Sequence, residues 1–399
     1  MPDGVARLPK GSASLLSQAQ VAAFRLRRHC LSERVPATAL VSAAAYMAGA
    51  QAQVLSAGQI SIWARVTGAR IQDVDDALWK KRSLVRAWCM RRTLFLLPSD
   101  ELALFARGTF RRARYHSEWA LSRISSRQQL EKLLDDIIEI LSQPRTRNEI
   151  AENLRLLGYR LKLKAGGGWG NSRPVTHVEV GGLTLSLGYL LHMVDGRDVI
   201  CSGPNKGNEP TYVRADRWVR DWKDMPVDKA EDGLFVRYMR AFGPATQADF
   251  ALWLGVYIRD VKEIWSRQTG KMAKVEVDGQ TAAVLHADLP ELEMAKLDLP
   301  VVRLLPFFDS FLLGHRSHAN IVDEKNRKKV YRAQGWVSPV LLVDGRARGV
   351  WSIDRRKEQL EVRVTPFSTL SGEVLSRIPE EAANLGSFLG CQDVKTIIA

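Results

Sequence analysis

The sequence predicts an α+β chain of three tandem winged-helix units followed by a small C-terminal antiparallel β-barrel. Three observations carry this expectation. Three stretches share one order, two or three short helices and then a pair of strands. Beyond Pro290 the pattern changes to short alternating or apolar runs separated by turn residues. Asp278-Gly279 and Asp344-Gly345 lie between such runs, the composition a two-residue hairpin turn demands. The expected domains are residues 1–140, 141–225 and 226–290 for the three winged-helix units and 291–399 for the barrel.

In the first unit, residues 39–47 are Ala-rich and helical, and 56–66 form a second helix that Ser56 can cap. Residues 71–81 are a third helix, acidic at its start and basic at its end, as the helix dipole prefers. Strands follow at 84–90 and 93–97, with Arg91-Arg92 at the wing tip, where a phosphate contact is expected. The second unit begins after Pro144. Thr146 or Asn148 caps a helix over 149–157, and Gly158 ends it. A Lys- and Gly-rich connection over 162–170 leads to a helix at 183–194, then strands at 199–202 and 211–214 around a second wing, 203–208. In the third unit, helices at 233–242, 246–254 and 258–268 precede strands at 273–277 and 282–286. The barrel takes strands at 301–305, 335–343, 347–353 and 360–365, closed by a helical segment at 371–389 that Pro379 interrupts. The repetition is architectural; no residue-level repeat accompanies it.

The chain has 399 residues, 46% hydrophobic and 26% charged, the balance of an ordinary globular protein. Its charge is less ordinary: 58 Lys and Arg against 44 Asp and Glu give +14. Residues 80–127 concentrate the excess, with twelve basic residues and three acids. Arg111 and Arg112 lie in that field. A single-sign field favours a polyanion, most simply double-stranded DNA; the alternative is a solvated basic face. Cys30, Cys89, Cys201 and Cys391 follow no disulfide or zinc spacing, so no metal or other cofactor is expected and a reducing compartment suits the chain. No apolar run has the length of a membrane span, and Arg7 and Lys10 precede no signal-like stretch. A cytoplasmic, nucleoid-associated protein is the expectation.

The segment Gly49-Ala50-Gln51-Ala52-Gln53 is the most informative. On a helix, residues two apart do not share a face; in an extended segment they do. Gly49 can end the preceding helix, so both amides can serve one site. An amide offers a donor and an acceptor but no useful proton affinity. It can orient a water or a base edge, which limits the chemistry to substrates already activated. The tripeptide alone is not specific, since Gln18-Ala19-Gln20 repeats it.

Context makes it specific. Gly49-Ala50-Gln51-Ala52-Gln53 followed by Trp63-Ala64-Arg65 resembles the start of the AlkZ/YcaQ group of winged-helix DNA glycosylases. Met90-Arg91-Arg92-Thr93-Leu94 is similar to that family's Met-Arg-Gly-Thr-Leu wing. Phe242-Gly243-Pro244-Ala245-Thr246, with Asp249-Phe250 and Trp253, matches its third unit. The run from Leu305 to Arg316, Leu-Pro-Phe-Phe-Asp-Ser-Phe-Leu-Leu-Gly-His-Arg, is the most specific block, continued by Gly335-Trp336-Val337-Ser338-Pro339 and Leu342-Val343-Asp344-Gly345. The resemblance implies tandem winged helices and a C-terminal barrel around a DNA channel in a monomer. It implies removal of bulky N7-alkylated purines and, in some members, unhooking of interstrand crosslinks left by natural products. The family's catalytic element is Gln-apolar-Gln in one branch and Gln-apolar-Asp in the other, which makes Gln51 and Gln53 the implied catalytic pair. Two departures are visible: Phe95 stands where many relatives have His, and Arg92 where Gly is common. Both bear on how the wing grips DNA.

Among the remaining candidates, Arg65, Arg91, Arg92, Arg111, Arg112, His315, Arg316 and His318 are expected to meet DNA, the last three from a polar turn after Phe311-Leu312-Leu313. Lys325, Arg327, Lys328 and Lys329 suit either phosphate or solvent. Asp309 sits in an apolar run, so burial and a structural role in fixing that turn are expected. Winged helices also serve regulators. A non-catalytic DNA-binding regulator or a lesion-sequestering resistance protein is therefore the competing function. A nuclease is disfavoured, as no carboxylate cluster has metal spacing.

Overall fold

The computed structural model describes residues 13–165 and 174–399, except the side chains of 112–116. Local chemistry sets many of the helix ends. Ser17 Oγ accepts from Gln20 N at 3.2 Å while Gln20 Oε1 accepts from Ser17 N at 3.0 Å, a reciprocal cap that opens the helix Gln18–Arg28. The Gln18-Ala19-Gln20 tripeptide is thus a cap, unlike its counterpart at 51–53. Thr146 with Glu149 opens Arg147–Leu156, and Thr246 with Asp249 opens Gln247–Leu254 in the same way. Gly255, at φ +80°, ends the latter. Asp278-Gly279 and Asp344-Gly345 both take positive φ at two-residue turns, pairing Val277 with Gln280 and Val343 with Arg346.

The strands assemble differently from three separate wings. The hairpin Leu84–Trp88/Leu94–Pro98 lies inside a six-stranded sheet. Ala50–Gln51 pairs on one side of it, and Ile200–Lys206 joins on the other through Cys201 opposite Ala87. The first two expected wings therefore share one sheet, and Glu209–Arg214 and Arg145–Thr146 complete it. In the third unit, Met272–Val277 and Gln280–Leu285 gain a parallel partner from the N-terminal strand Ser14–Leu16. Residues 183–186 form a strand rather than a helical start, because Ser186 caps the helix Leu187–Arg197 at Tyr189 N.

The expected C-terminal barrel is an open five-stranded sheet. Val302–Leu305, Val340–Val343, Arg346–Arg356 and Gln359–Pro366 pair antiparallel, and Asp393–Ile398 adds in parallel. The helix Gly372–Leu389 makes that parallel crossover and runs unbroken through Pro379. Its Val374, Ile378, Ala382, Leu385 and Phe388 pack in the core with Leu304, Leu341, Val362 and Val364. A sheet whose face is covered by a helix has no need to close on itself.

The same core also contains Leu40, Ala50, Ala52, Ile62 and Leu96, so the N-terminal helices and the C-terminal sheet bury one apolar mass. A second core joins Val85, Phe95 and Leu97 to Phe235, Phe250, Trp253 and Trp265. The strand bearing Gln51 runs between the two.

Candidate active site

The site starts from a backbone that almost any side chain would obstruct. After the helix Leu40–Tyr46, Ala48 and Gly49 take φ +54° and +92°, and Gly49 N closes the turn onto Ala44 O at 2.8 Å. A Cβ on Gly49 would stand 2.7 Å from Leu97 Cδ2, and its φ is one that side chains rarely adopt. The chain leaves extended, with Ala50 opposite Leu96, Gln51 opposite Phe95 and Ala52 N bonded to Leu94 O at 2.6 Å. Alternation sends Ala50 and Ala52, both fully buried, into the first core and turns Gln51 and Gln53 to the other face. From the C-terminal part of the chain, Ser310 Oγ donates to Gly49 O at 2.6 Å and pins the turn.

The two amides differ in exposure. Gln51 is only 5% exposed, whereas Gln53 is open to solvent. Gln51 Oε1 accepts from Arg91 Nη2 at 2.8 Å, and Arg91 Nη1 donates to Trp253 O at 2.8 Å. Gln53 Oε1 accepts from Leu94 N at 3.3 Å, taking the place of the next ladder acceptor. Arg86 holds the backbone between them, donating to Ala52 O at 3.0 Å and Gln53 O at 3.2 Å. Guanidinium and backbone N–H groups only donate, so the oxygen of each amide is identified by its partner. Each oxygen keeps a second lone pair, and each NH2 remains a donor. Such a pair can hold and orient a small molecule, but it cannot remove a proton.

A family model described as DNA glycosylase AlkZ-like matches residues 44–388, most of the chain. The chain belongs to the AlkZ-like DNA glycosylases. It is 30% identical to the interstrand DNA cross-link repair glycosylase of Streptomyces sahachiroi, over 93% of this chain and 96% of that protein. The solved structure of the Streptomyces sahachiroi DNA glycosylase AlkZ matches with a TM-score of 0.77 at 26% identity, covering 96% of this chain and 99% of that one. Membership makes this chain an enzyme, a hydrolase acting on DNA.

This AlkZ-like enzyme uses several expected DNA contacts inside the protein instead. Arg65 and Asp309 are both fully buried. Arg65 Nη2 and Nη1 meet Asp309 Oδ1 and Oδ2 at 2.7 and 2.9 Å, while Ser61 Oγ and Phe311 N donate to the same carboxylate at 2.6 and 3.0 Å. Burial opposes the charge on Asp309, but the Arg65 guanidinium and these bonds outweigh it and hold the carboxyl below its usual range. Arg65 is out of reach of phosphate. Arg91 and Arg92 are not a wing tip: their turn packs where the Gln247–Leu254 helix ends, and a Cβ on Gly255 would lie 2.8 Å from Arg91 Cα. Arg92 takes φ +58°, the left-handed region that favours glycine and the physical reason Gly suits this position. It lines a small cavity with Trp88, Cys89, His192 and Asp195. Phe95 is core, 1% exposed, with its ring centroid 5.7 Å from the Arg91 guanidinium.

Arg111 is tied to Glu231 and Glu263 between helices, so it serves packing before phosphate. The side chain of Arg112 lies outside the described residues. His315 is partly buried and donates from Nε2 to Phe242 O at 2.8 Å. Burial, then the charge of Arg25, push its pKa down to about 3 against the pull of Asp249, so it is a neutral brace at pH 7. His318 stacks on Tyr331 with ring centroids 3.6 Å apart. Of His315, Arg316 and His318 only Arg316 is exposed, its backbone N anchored on Asp249 Oδ1 at 2.8 Å. Lys325, Arg327, Lys328 and Lys329 lie exposed on the helix Glu324–Val330. Among the described residues no cluster of three metal-ligating side chains occurs, and no helix is long and apolar enough to cross a membrane.

Sequence reasoning missed Arg86, Ser310 and the inward role of Arg91. All three act on 49–53 from more than 30 residues away, beyond the reach of any local spacing.

Proposed function

We propose that the chain is a monofunctional DNA glycosylase that hydrolyses the N-glycosidic bond of N7-alkylated purines, with Gln51 and Gln53 as its catalytic pair. The observation that carries this is the amide pair on one extended face. A guanine alkylated at N7 is already cationic and leaves as a neutral base, so the leaving group needs no general acid. The remaining task is to place a water near C1′ and accommodate the sugar cation as the bond breaks. Fixed amide dipoles suit that task, and an Asp in place of Gln53 would add a base and a negative charge. A narrower substrate range than that of Gln-apolar-Asp enzymes follows.

The relative from Streptomyces sahachiroi is named for interstrand cross-link repair. Similarity over nearly its whole length supports a bulky crosslink as a substrate here as well. We read the first three units as winged helices lining a duplex channel in a monomeric, nucleoid-associated protein. Arg316, Lys325 and Lys328 are among the exposed basic groups that would meet phosphate. The test is a duplex with a single 7-methylguanine, incubated with the enzyme and cleaved with alkali. A strand break at the lesion supports the reading; tight binding without release from either this duplex or a crosslinked one refutes it and favours a sequestering protein.

A further inference from the structure

We propose that Arg91 is a positioning residue for Gln51 rather than a DNA contact; this rests on Gln51 being catalytic. Four observations converge on it. Arg91 is half-buried, and among the described residues no carboxylate pairs with its guanidinium. Its side chain donates to Gln51 Oε1 and Trp253 O, both at 2.8 Å. Its backbone sits at φ +55°, against a Gly255 that leaves room for nothing larger. The ring of Phe95, the residue directly opposite Gln51 in the sheet, lies beneath the guanidinium.

A desolvated cation with no anionic partner is costly, and so is a left-handed arginine. Burial lowers the Arg91 pKa to about 10, which still leaves it charged at pH 7. A phosphate contact would require a guanidinium free to turn outward, whereas Nη1 and Nη2 of this one both donate within the protein. Arg65 and Arg111 are held by carboxylates and Arg86 by backbone carbonyls, whereas Arg91 directs one of its bonds to the side-chain oxygen of Gln51. What Arg91 does instead is fix one rotamer and one flip of the Gln51 amide, with the oxygen toward the guanidinium and the NH2 left for a reactant. Through Trp253 O it ties that orientation to the helix Gln247–Leu254, about 200 residues further along the chain. The positive charge itself opposes an oxocarbenium ion, so the benefit is geometric. Gln51 then acts as a fixed hydrogen-bond donor and Gln53 as the more mobile partner.

The test uses the full chain and single-turnover release of 7-methylguanine from a duplex at saturating enzyme. Arg91→Gly is the main variant, because glycine accepts the left-handed backbone; Arg91→Lys keeps the charge and serves if the glycine variant melts early. Each is made in wild-type and Gln51→Ala backgrounds. Loss of orientation predicts a release rate lower by about 10–100-fold in the wild-type background. In the Gln51→Ala background the same change is expected to cost less than about twofold, because the residue it acts through is gone. Added ethylguanidinium should restore part of the rate in Arg91→Gly but not in Arg91→Gly/Gln51→Ala. Affinity for an undamaged duplex should stay within about twofold, as phosphate contacts are not involved. Equal losses in both backgrounds, or weakened duplex binding with an unchanged saturated rate, would overturn the proposal for Arg91 alone. A Gln51→Ala enzyme with wild-type release would overturn the catalytic reading on which it rests.

Discussion

Removing the Asp309 carboxylate isolates the value of the buried network behind the site. In Asp309→Ala, Arg65 keeps its charge at zero exposure and loses both Asp309 bonds, while Ser61 Oγ and Phe311 N lose their acceptor. Summing four charge-assisted bonds at face value overstates the loss, because they act as one unit. Breaking one half of a buried pair costs about 3–5 kcal/mol, most of it the uncompensated charge that remains. The double variant Arg65→Met/Asp309→Leu removes both charges and fills similar volume, so it should lose less than about 2 kcal/mol. The assay is equilibrium urea unfolding followed by far-UV circular dichroism, with thermal melting alongside. An Asp309→Ala enzyme within about 1 kcal/mol of wild type would refute the reasoning, since it would mean that Arg65 is solvated or repaired at little cost. A double variant less stable than the single one would contradict it equally. The loss should reach the site too, because Ser310, next to Asp309, pins Gly49.

Three further outcomes follow from the same geometry. His29, His192 and His315 are held down to about 3, chiefly by burial, so between about pH 6.5 and 3 the unfolded chain takes up protons that the native one refuses. Stability from these groups is complete above pH 6.5 and is lost as pH falls. Asp195, raised to about 7 by burial, works the other way across part of this range but is one group against three. Melting temperature should therefore drop from pH 7 to pH 5, and less steeply in His29→Gln; a rise, or an identical slope in the variant, would contradict this. Gly49→Ala meets Leu97 at 2.7 Å with φ +92°, so it should destabilise by about 1–3 kcal/mol and slow base release, both measurable on the same preparation. Arg316→Ala should weaken duplex binding uniformly across sequences and reduce the log–log salt slope by about 1, as measured by titrations at several salt concentrations; an unchanged slope would remove Arg316 from the interface.

Local chemistry was legible and long-range pairing was not. Gly49 followed by alternating small residues and amides was enough to place Gln51 and Gln53 on one extended face. The two Asp-Gly turns could likewise be read from a few adjacent residues, and local sequence narrows the helix cap to Thr146 or Asn148, of which Thr146 is the one used. The hairpin over 84–98 was also visible, but nothing local says that Ala87 will pair with Cys201 and make a wing into the middle of a sheet. For the same reason Arg91 read as a surface charge: its acceptor Trp253 O and the space at Gly255 come from a distant helix. Arg65 likewise read as a DNA contact, because its partner Asp309 is 244 residues away. The barrel failed at its edge. The strand Asp393–Ile398 follows a helix that Pro379 seemed to break, and that unbroken helix covers the face a barrel would have had to close.

The central claim is that the amide pair performs the chemistry. Its most direct test is single-turnover release of 7-methylguanine by wild type, Gln51→Ala and Gln53→Ala, with duplex affinity measured on the same samples. The account predicts that both variants bind the lesion duplex within about threefold of wild type yet release base at least about tenfold more slowly. Wild-type release by both variants would contradict it.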